Sequence, residues 1–586
     1  MHNIKHQLLE NKVIIRLNGK ICQTGEELIL SELFHKILER CLKRLETKNS
    51  ILLSSFSKKN LNKKDIDLLV ESLKLLLELS IGQVKENIEG FKRLLKDEQV
   101  FNNFIEYLYN YWRSFKRFII CERDSVEDDR DTKPYRIFNE TIEKLTHLVR
   151  YIYRNIQENI TGNHPRVYRQ VRAGAEVAAI AKSKKILFPN DGRYNKLSNI
   201  SVIRQVLLYP PLVLNTPMNK RSGEFIKVDL NPLDLVTIDR SEWICYPAKV
   251  GKLTILIYFH YKFFELGFSL CNLFELASGK NLEKKPDGIY LFGVGENSLD
   301  SFGTIPTVFY DDVVNDMLVA AVPGRDEFGY FGYLKKMVLT LHNIKMMKKG
   351  LFPFHGALIK LTFINGLQKI LLIIGDTGAG KSELIEAFRI VGKGELSDIN
   401  VIADDMGSVE IDKKGNIKGY GTEIGAFLRL DDLQPGYAFG QMDRAIFMNP
   451  SLINARLILP LTPFESVIEG LKIDYILYAN NYEQIDDEHP IIEKIENYED
   501  AIKLFGEGTV MSKGTTTSTG IVHSYFANIF GPPQYKELHD KLALKYFKAF
   551  YIKKIFVGQV RTRLGIEGFE IEGPKEAAKE LLKVLR

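Results

Sequence analysis

From about Leu28 to Ile160, apolar residues recur every three or four positions among lysines and glutamates, as in Leu68-Leu-Val-Glu-Ser-Leu-Lys-Leu-Leu-Leu-Glu-Leu79. That is the spacing of amphipathic helices, and it predicts an all-α N-terminal extension over residues 1–165. Within it, the charged stretch Arg113 to Arg130 reads as a solvated helix face and loop. Next, Arg166-Val-Tyr-Arg-Gln-Val-Arg172 leads into short apolar runs broken by Pro, Gly and Asn, among them Val202 to Leu214 and Leu253 to Tyr258. This pattern predicts a mixed α/β middle domain over 166–327. From about Phe328 strands and helices alternate, ending in a terminal helix at Ala577 to Leu585, which predicts an α/β domain over 328–586.

Length agrees with several domains, since 586 residues exceed one ordinary core. A composition of 45% hydrophobic and 26% charged residues is that of a soluble globular protein. The net charge of +6 is mild, so neither a nucleic-acid nor a membrane partner is expected, and metabolite anions explain it more simply. Cys22, Cys41, Cys121, Cys245 and Cys271 show no metal-ligand or redox spacing and read as reduced and structural. The N-terminus lacks a charged-then-apolar signal pattern, and the most apolar stretch, Leu253 to Phe274, is broken by His260, Lys262 and Glu265. A cytoplasmic location is the expectation.

The most informative stretch is Leu371-Leu-Ile-Ile-Gly-Asp-Thr-Gly-Ala-Gly-Lys-Ser382. An apolar strand feeding Gly375-x-x-x-x-Gly380-Lys381-Ser382 is a complete phosphate-binding loop. Gly375, Gly378 and Gly380 allow the backbone of Asp376, Thr377 and Ala379 to turn tightly and aim amides at phosphate oxygens. Lys381 reaches terminal phosphates, and the Ser382 hydroxyl suits Mg²⁺. Downstream, Asn400-Val-Ile-Ala-Asp404-Asp405 sets two carboxylates at the end of a short strand, where they can hold a metal beside the phosphates. Upstream, Tyr330-Phe-Gly-Tyr-Leu-Lys335-Lys336 carries a lysine pair, and His355 follows Lys336 by nineteen positions.

At these residues the chain resembles the phosphoenolpyruvate carboxykinase family, especially its ATP-using branch, and more distantly HPr kinase, which shares the nucleotide domain. Tyr330, Gly332, Lys335, Lys336 and His355 match the family's Tyr-Gly-Gly-Glu-Met-Lys-Lys motif and following histidine. Glu423-Ile-Gly-Ala-Phe-Leu-Arg429 resembles its Glu-Gly-Gly-Cys-Tyr-Ala-Lys, and Asn454-Ala-Arg456-Leu-Ile-Leu-Pro460 its Asn-Thr-Arg-Val-x-x-Pro. Gly514 to Gly531 resembles its adenine-side loop, and Lys220-Arg221-Ser its carboxylate-binding Arg-Ser. The phosphate loop departs from the family, since Gly380-Lys-Ser-Glu383 is closer to HPr kinase. Thr517 also stands where the family's nucleotide loop has an arginine.

The resemblance implies a carboxykinase-like P-loop domain that converts oxaloacetate and ATP to phosphoenolpyruvate, ADP and CO₂. It implies Mn²⁺ on Lys336, His355 and Asp405, Mg²⁺ on Ser382 and Asp404, and nucleotide contacts from the loop, Glu423 and Arg429. Lys381 and Arg456 would neutralise the transferred phosphoryl group, while Tyr330, Lys335 and Arg221 would orient a small dicarboxylate. A lysine ligates a metal only when neutral, so the site must depress the basicity of Lys336. Two alternatives stand beside this one: an HPr-kinase-like kinase of a hydroxyl group, with Asp405 as base, and a nucleotide-binding regulator without turnover. The helical extension is left as a surface for a protein partner or self-association.

Overall fold

The chain divides into two units, residues 1–183 with 203–209, and residues 184–202 with 210–586. The computed structural model describes residues 5–17, 22–122, 133–163, 171–183, 186–430, 440–513 and 519–586. Most of Arg166 to Arg172, the later part of Arg113 to Arg130, and the Thr517 region therefore lie outside the described residues.

In the first unit, β1 (Lys5–Leu8) pairs antiparallel with β2 (Lys12–Leu17), and β3 (Lys116–Glu122) and β4 (Val177–Ser183) extend the sheet in parallel. Parallel neighbours require long crossovers. Helices α1 (Glu32–Thr47), α2 (Lys63–Leu75) and α3 (Glu98–Ser114) lie between β2 and β3, and α4 (Lys133–Thr161) lies between β3 and β4. Alternate strand residues Val13, Ile15 and Leu17, with Ile119 and Ile180, share one core with Leu38, Leu69, Leu73, Phe101, Phe104 and Ile142 of the helices.

The all-α expectation for 1–165 is therefore corrected: the helices are present, but they wrap a largely parallel sheet. The strands escaped because Val13-Ile-Ile and Phe118-Ile-Ile-Cys are buried on both faces and show no apolar–polar alternation. Nor is the Arg113–Arg130 stretch a solvated face throughout. Arg117 is 2% exposed, and its guanidinium donates to the carbonyls of Gly174 at 2.7 Å and Trp112 at 3.1 Å and reaches Glu176 at 3.3 Å. The unit also ends later than the expected boundary at 165.

The second unit holds two larger sheets. In one, β5 (Trp243–Val250) and β6 (Leu253–His260) form a hairpin. Strand β7 (Gly288–Val294) joins β6 in parallel, and β9 (Met317–Pro323), paired antiparallel with β8 (Val308–Asp312), joins β7 in parallel. In the other, the long strand β10 (Phe352–Phe363) pairs antiparallel with β11 (Gln368–Ile374), β12 (Leu396–Ala403) and β13 (Met406–Ile411). Beyond β13 lies antiparallel β14 (Ile417–Gly421), and β16 (Tyr475–Asn480) and β17 (Phe556–Arg561) extend β11 in parallel. Strand β15 (Gly425–Arg429) belongs to a smaller sheet with Arg456–Pro460.

Helix α5 (Phe331–Lys348) contacts β5 and β7 of one sheet and β10 and β13 of the other. It is buried on nearly every face, as a helix between two sheets must be. No division appears at 327/328, because α5 begins there and is shared by both sheets. On the second sheet, α6 (Lys381–Val391) and α7 (Glu572–Leu585) pack together over β10, β11 and β16. The chain is thus mixed α/β, and no helix among the described residues is long and apolar enough to cross a membrane. None of the five cysteines forms a disulfide.

The sheet of the first unit dictates what a truncation should do. A protein starting at residue 166 loses β3 and leaves β4 without its parallel partner and its covering helices. It is expected to aggregate on size-exclusion chromatography. A monodisperse 166–586 protein with the full chain's melting temperature would contradict this account.

Candidate active site

Strand β11 runs into residues 375–380 and then directly into α6. Gly378 and Gly380 have φ of +81° and +98°, values that L-residues avoid. A Cβ on Gly380 would lie 2.6 Å from the Thr562 hydroxyl, and one on Gly375 would lie 2.8 Å from Ala379. The loop is held from behind, where the Thr562 hydroxyl donates to the Ala379 carbonyl at 2.8 Å and the Asn481 amide to that of Gly378 at 2.9 Å. Lys381 Nζ donates to the carbonyls of Gly375 at 2.6 Å and Asp376 at 2.9 Å, and burial lowers its basicity. Backbone amides at the start of an eleven-residue helix, beside a lysine, make a concave site for an anion.

Opposite the loop, β12 ends at Ala403, and Asp404 and Asp405 occupy the turn into β13. Asp405 Oδ2 accepts from Lys335 Nζ at 2.7 Å, and Oδ1 lies 2.8 Å from His355 Nε2. Burial alone would raise the Asp405 pKa, but Lys335 and His355 outweigh it and hold the carboxyl well below the usual range. Asp404 is raised, first by burial and then by the charge of Asp405, against the opposing pull of Lys335. Behind this pair Glu423 is fully enclosed, with Oε1 3.3 Å from Lys335 Nζ. Burial pushes its pKa up to about 8, with Lys335 opposing and the two aspartates reinforcing.

The paired lysines differ. Burial lowers Lys335, but Asp405 and Glu423 more than offset this and keep it charged. Lys336 Nζ has the Phe530 ring face at 4.7 Å, and burial followed by the nearby Arg221 cation, with Asp405 opposing, brings its pKa down to about 8. About a quarter of such an amine is neutral at pH 7.5, against about one part in a thousand for an ordinary lysine.

Lys335, Lys336, Lys381, Ser382, Asp404 and Asp405 line one cavity of about 1140 Å³. Tyr330, Arg221, Arg429, Arg456 and the loop residues Asp376, Thr377 and Gly378 line it too. Gly375, Ala379 and Gly380 shape the loop without lining the cavity, and His355 and Glu423 stand behind its wall. Phe427 on β15 was missed by sequence reasoning, although it lies within the Glu423–Arg429 motif. Its ring meets Tyr330 at 5.9 Å, Lys335 at 5.9 Å and Arg456 at 5.5 Å, and cations over a ring face are favoured.

Among the described residues no group of three His, Cys, Asp or Glu side chains converges as a metal site. The donor set that does fit a divalent cation is mixed. His355 Nδ1 faces the carbonyl of Ala527, which only accepts, so Nδ1 carries a hydrogen, and Nε2 is turned toward Asp405 Oδ1, to which it donates when it also carries a hydrogen. At 2.8 Å either a hydrogen on Nε2 or a cation shared with Asp405 satisfies both atoms, and Lys336, whose basicity is lowered, lines the same cavity as Asp405. No protein-family model matches the chain, and no curated protein matches it in sequence. The site's geometry and chemistry therefore carry the functional reading.

Glu423 yields a test independent of function. Its folded pKa of about 8 exceeds the ordinary 4.5, so the folded state binds the extra proton between those values and stability falls as pH rises through them. Glu423→Gln is expected to flatten urea-unfolding stability across that window. An unchanged slope in the variant would show that the carboxyl is ionised in the fold.

Proposed function

We propose that residues 328–586 form a carboxykinase-like P-loop domain and that the protein is a metal-dependent phosphotransferase. It would convert oxaloacetate and a nucleotide, with ATP the expectation, to phosphoenolpyruvate, the nucleoside diphosphate and CO₂. The observation that carries this is the weakly basic Lys336 beside the His355–Asp405 pair, across one cavity from the Gly375–Ser382 loop. A phosphate-binding loop alone would suit many nucleotide-dependent proteins, but a lysine able to act as a neutral ligand is a narrower demand.

In this scheme Lys381 exchanges the carbonyls of Gly375 and Asp376 for phosphate oxygens, and Arg456 faces the transferred group from the opposite wall. Arg221 and Tyr330 hold the dicarboxylate. The carboxylate β to the ketone leaves as CO₂, its bonding pair forms a carbon–carbon double bond while the ketone π pair moves onto oxygen as an enolate, and that oxygen takes the terminal phosphoryl as the diphosphate leaves. Lys336, His355 and Asp405 would hold Mn²⁺, and Ser382 with Asp404 would hold Mg²⁺; such cations supply positive charge against developing oxyanions. Lys335, committed to Asp405, keeps that carboxylate ionised and orients it.

Asp405 also separates this reading from a hydroxyl kinase of the HPr kinase sort. A general base works best with a pKa near the working pH, and Asp405 lies well below the ordinary carboxylate range. It suits a permanent charge better than a proton acceptor. A regulator without turnover would leave the weakly basic Lys336 unexplained.

Purified protein supplied with Mn²⁺, ATP and oxaloacetate is expected to form phosphoenolpyruvate, and Lys381→Ala should lower kcat by about 10²–10³-fold. A protein that ignores oxaloacetate and phosphoenolpyruvate yet phosphorylates a hydroxyl acceptor would overturn the proposal.

Lys336→Arg probes the neutral amine itself. Arginine preserves the positive charge but stays protonated, so kcat/KM should drop by about 10–100-fold, the usual cost of a damaged metal shell. Full activity in this variant would mean that Lys336 acts only as a cation.

A further inference from the structure

Residues Ser524 to Phe530 reach both the phosphate-loop side of the site and the side of Lys336 and His355, although the family resemblance marks them only as the end of an adenine-side loop. The Ser524 hydroxyl donates to Asp376 Oδ2 at 3.5 Å, on the phosphate-loop side. The Ala527 carbonyl receives His355 Nδ1. Asn528 lines the cavity. The Phe530 ring stands 4.7 Å from Lys336 Nζ and 6.1 Å from the His355 ring, and its carbonyl accepts from Asn343 of α5 at 2.8 Å.

The backbone there is unusual. Phe526, Ala527 and Asn528 have φ of +43°, +58° and +60°, three successive non-glycine residues in the left-handed region. Such runs persist only where the surroundings over-determine them, and they gather at functional sites. Here the support is visible: a Cβ on Gly508 would lie 1.9 Å from the Ser524 carbonyl oxygen and 2.5 Å from the Ala527 nitrogen. The bare backbone of Gly508, itself at φ +55°, is pressed against the turn.

We infer that Ser524–Phe530 is a positioning element whose left-handed turn aims the Ala527 carbonyl at His355, fixes the hydrogen on Nδ1, and turns Nε2 toward Asp405. It rests on the proposed ligand role of His355, while Ala527 itself touches neither metal nor substrate. Groups that orient a ligating histidine through its second nitrogen govern both tautomer and metal affinity. Because the same seven residues reach Asp376 and the cavity through Ser524 and Asn528, nucleotide bound there would bear on the segment that holds His355.

The test is ¹⁵N NMR of the full chain labelled in its eleven histidines, with His355 assigned by the signal lost in His355→Gln, alongside titration with Mn²⁺ alone. His355 of the metal-free wild type should carry hydrogen on Nδ1. Ala527→Val, which resists the left-handed conformation, and Gly508→Ala, which pushes the turn from behind, should redistribute that hydrogen and weaken Mn²⁺ binding by about 10–100-fold. Ala527→Gly, which keeps the conformation accessible, should stay near wild type in both. A wild-type His355 without hydrogen on Nδ1 overturns the inference, even if no variant folds. So does a folded Ala527→Val with an unchanged spectrum and unchanged Mn²⁺ affinity. If the NMR response is as expected but wild type does not bind Mn²⁺, the positioning role stands and the metal role in the proposed function fails.

Discussion

The ion pair between Lys335 and Asp405, 2.7 Å long with the lysine side chain 4% exposed, is the interaction on which the site depends. Withdrawing two such charges from water costs several kcal/mol each, and their attraction offsets that cost only when the geometry is good and the remaining polar atoms are satisfied. Here the second Asp405 oxygen is taken by His355. The pair ties α5, which lies between the two sheets, to the turn between β12 and β13. Lys336, one residue on and about 100° further round the helix, comes to the cavity wall as a consequence.

The same arrangement explains why two adjacent lysines behave so differently. Both lose hydration, which disfavours the ammonium. Lys335 regains it from Asp405 and Glu423, whereas the next cation felt by Lys336 is Arg221, which pushes the same way as burial. Sequence adjacency on a helix thus separates one charge that is structural from one amine that is available. The Phe427 ring is shared by Lys335 and Arg456.

What could be read from the sequence was whatever is carried by local spacing. Gly375 to Ser382 must have glycines where φ turns positive or a Cβ would collide, and the structure shows why Gly375, Gly378 and Gly380 are there. The strand before Asp404 was legible as an apolar run with a polar end. Strands β2 and β3 were not, because a strand buried on both faces loses the alternation that distinguishes it, and β3 also sits beside charged residues in a helical neighbourhood. The turn at Phe526–Asn528 was hidden for the opposite reason: left-handed backbone is ordinarily announced by glycine, and here the glycine that permits it, Gly508, lies elsewhere in the chain. Glu423 carried no sign of its burial, which depends on which other elements close over it.

Asp404 and Asp405 show how far environment outweighs composition. Neighbouring aspartates at one strand end start with the same chemistry, and burial pushes both upward. Only Asp405 meets Lys335 at 2.7 Å and His355 at 2.8 Å, and it falls well below the ordinary range while its charge helps raise Asp404. Two titratable groups driven apart in this way take different roles. Under the proposed function, Asp405 is the permanently charged partner of a cation. Burial raises the Asp404 pKa, so a cation bound beside Ser382 and the ionised state of Asp404 would stabilise one another, as they must where a carboxylate is both buried and placed against a phosphate site.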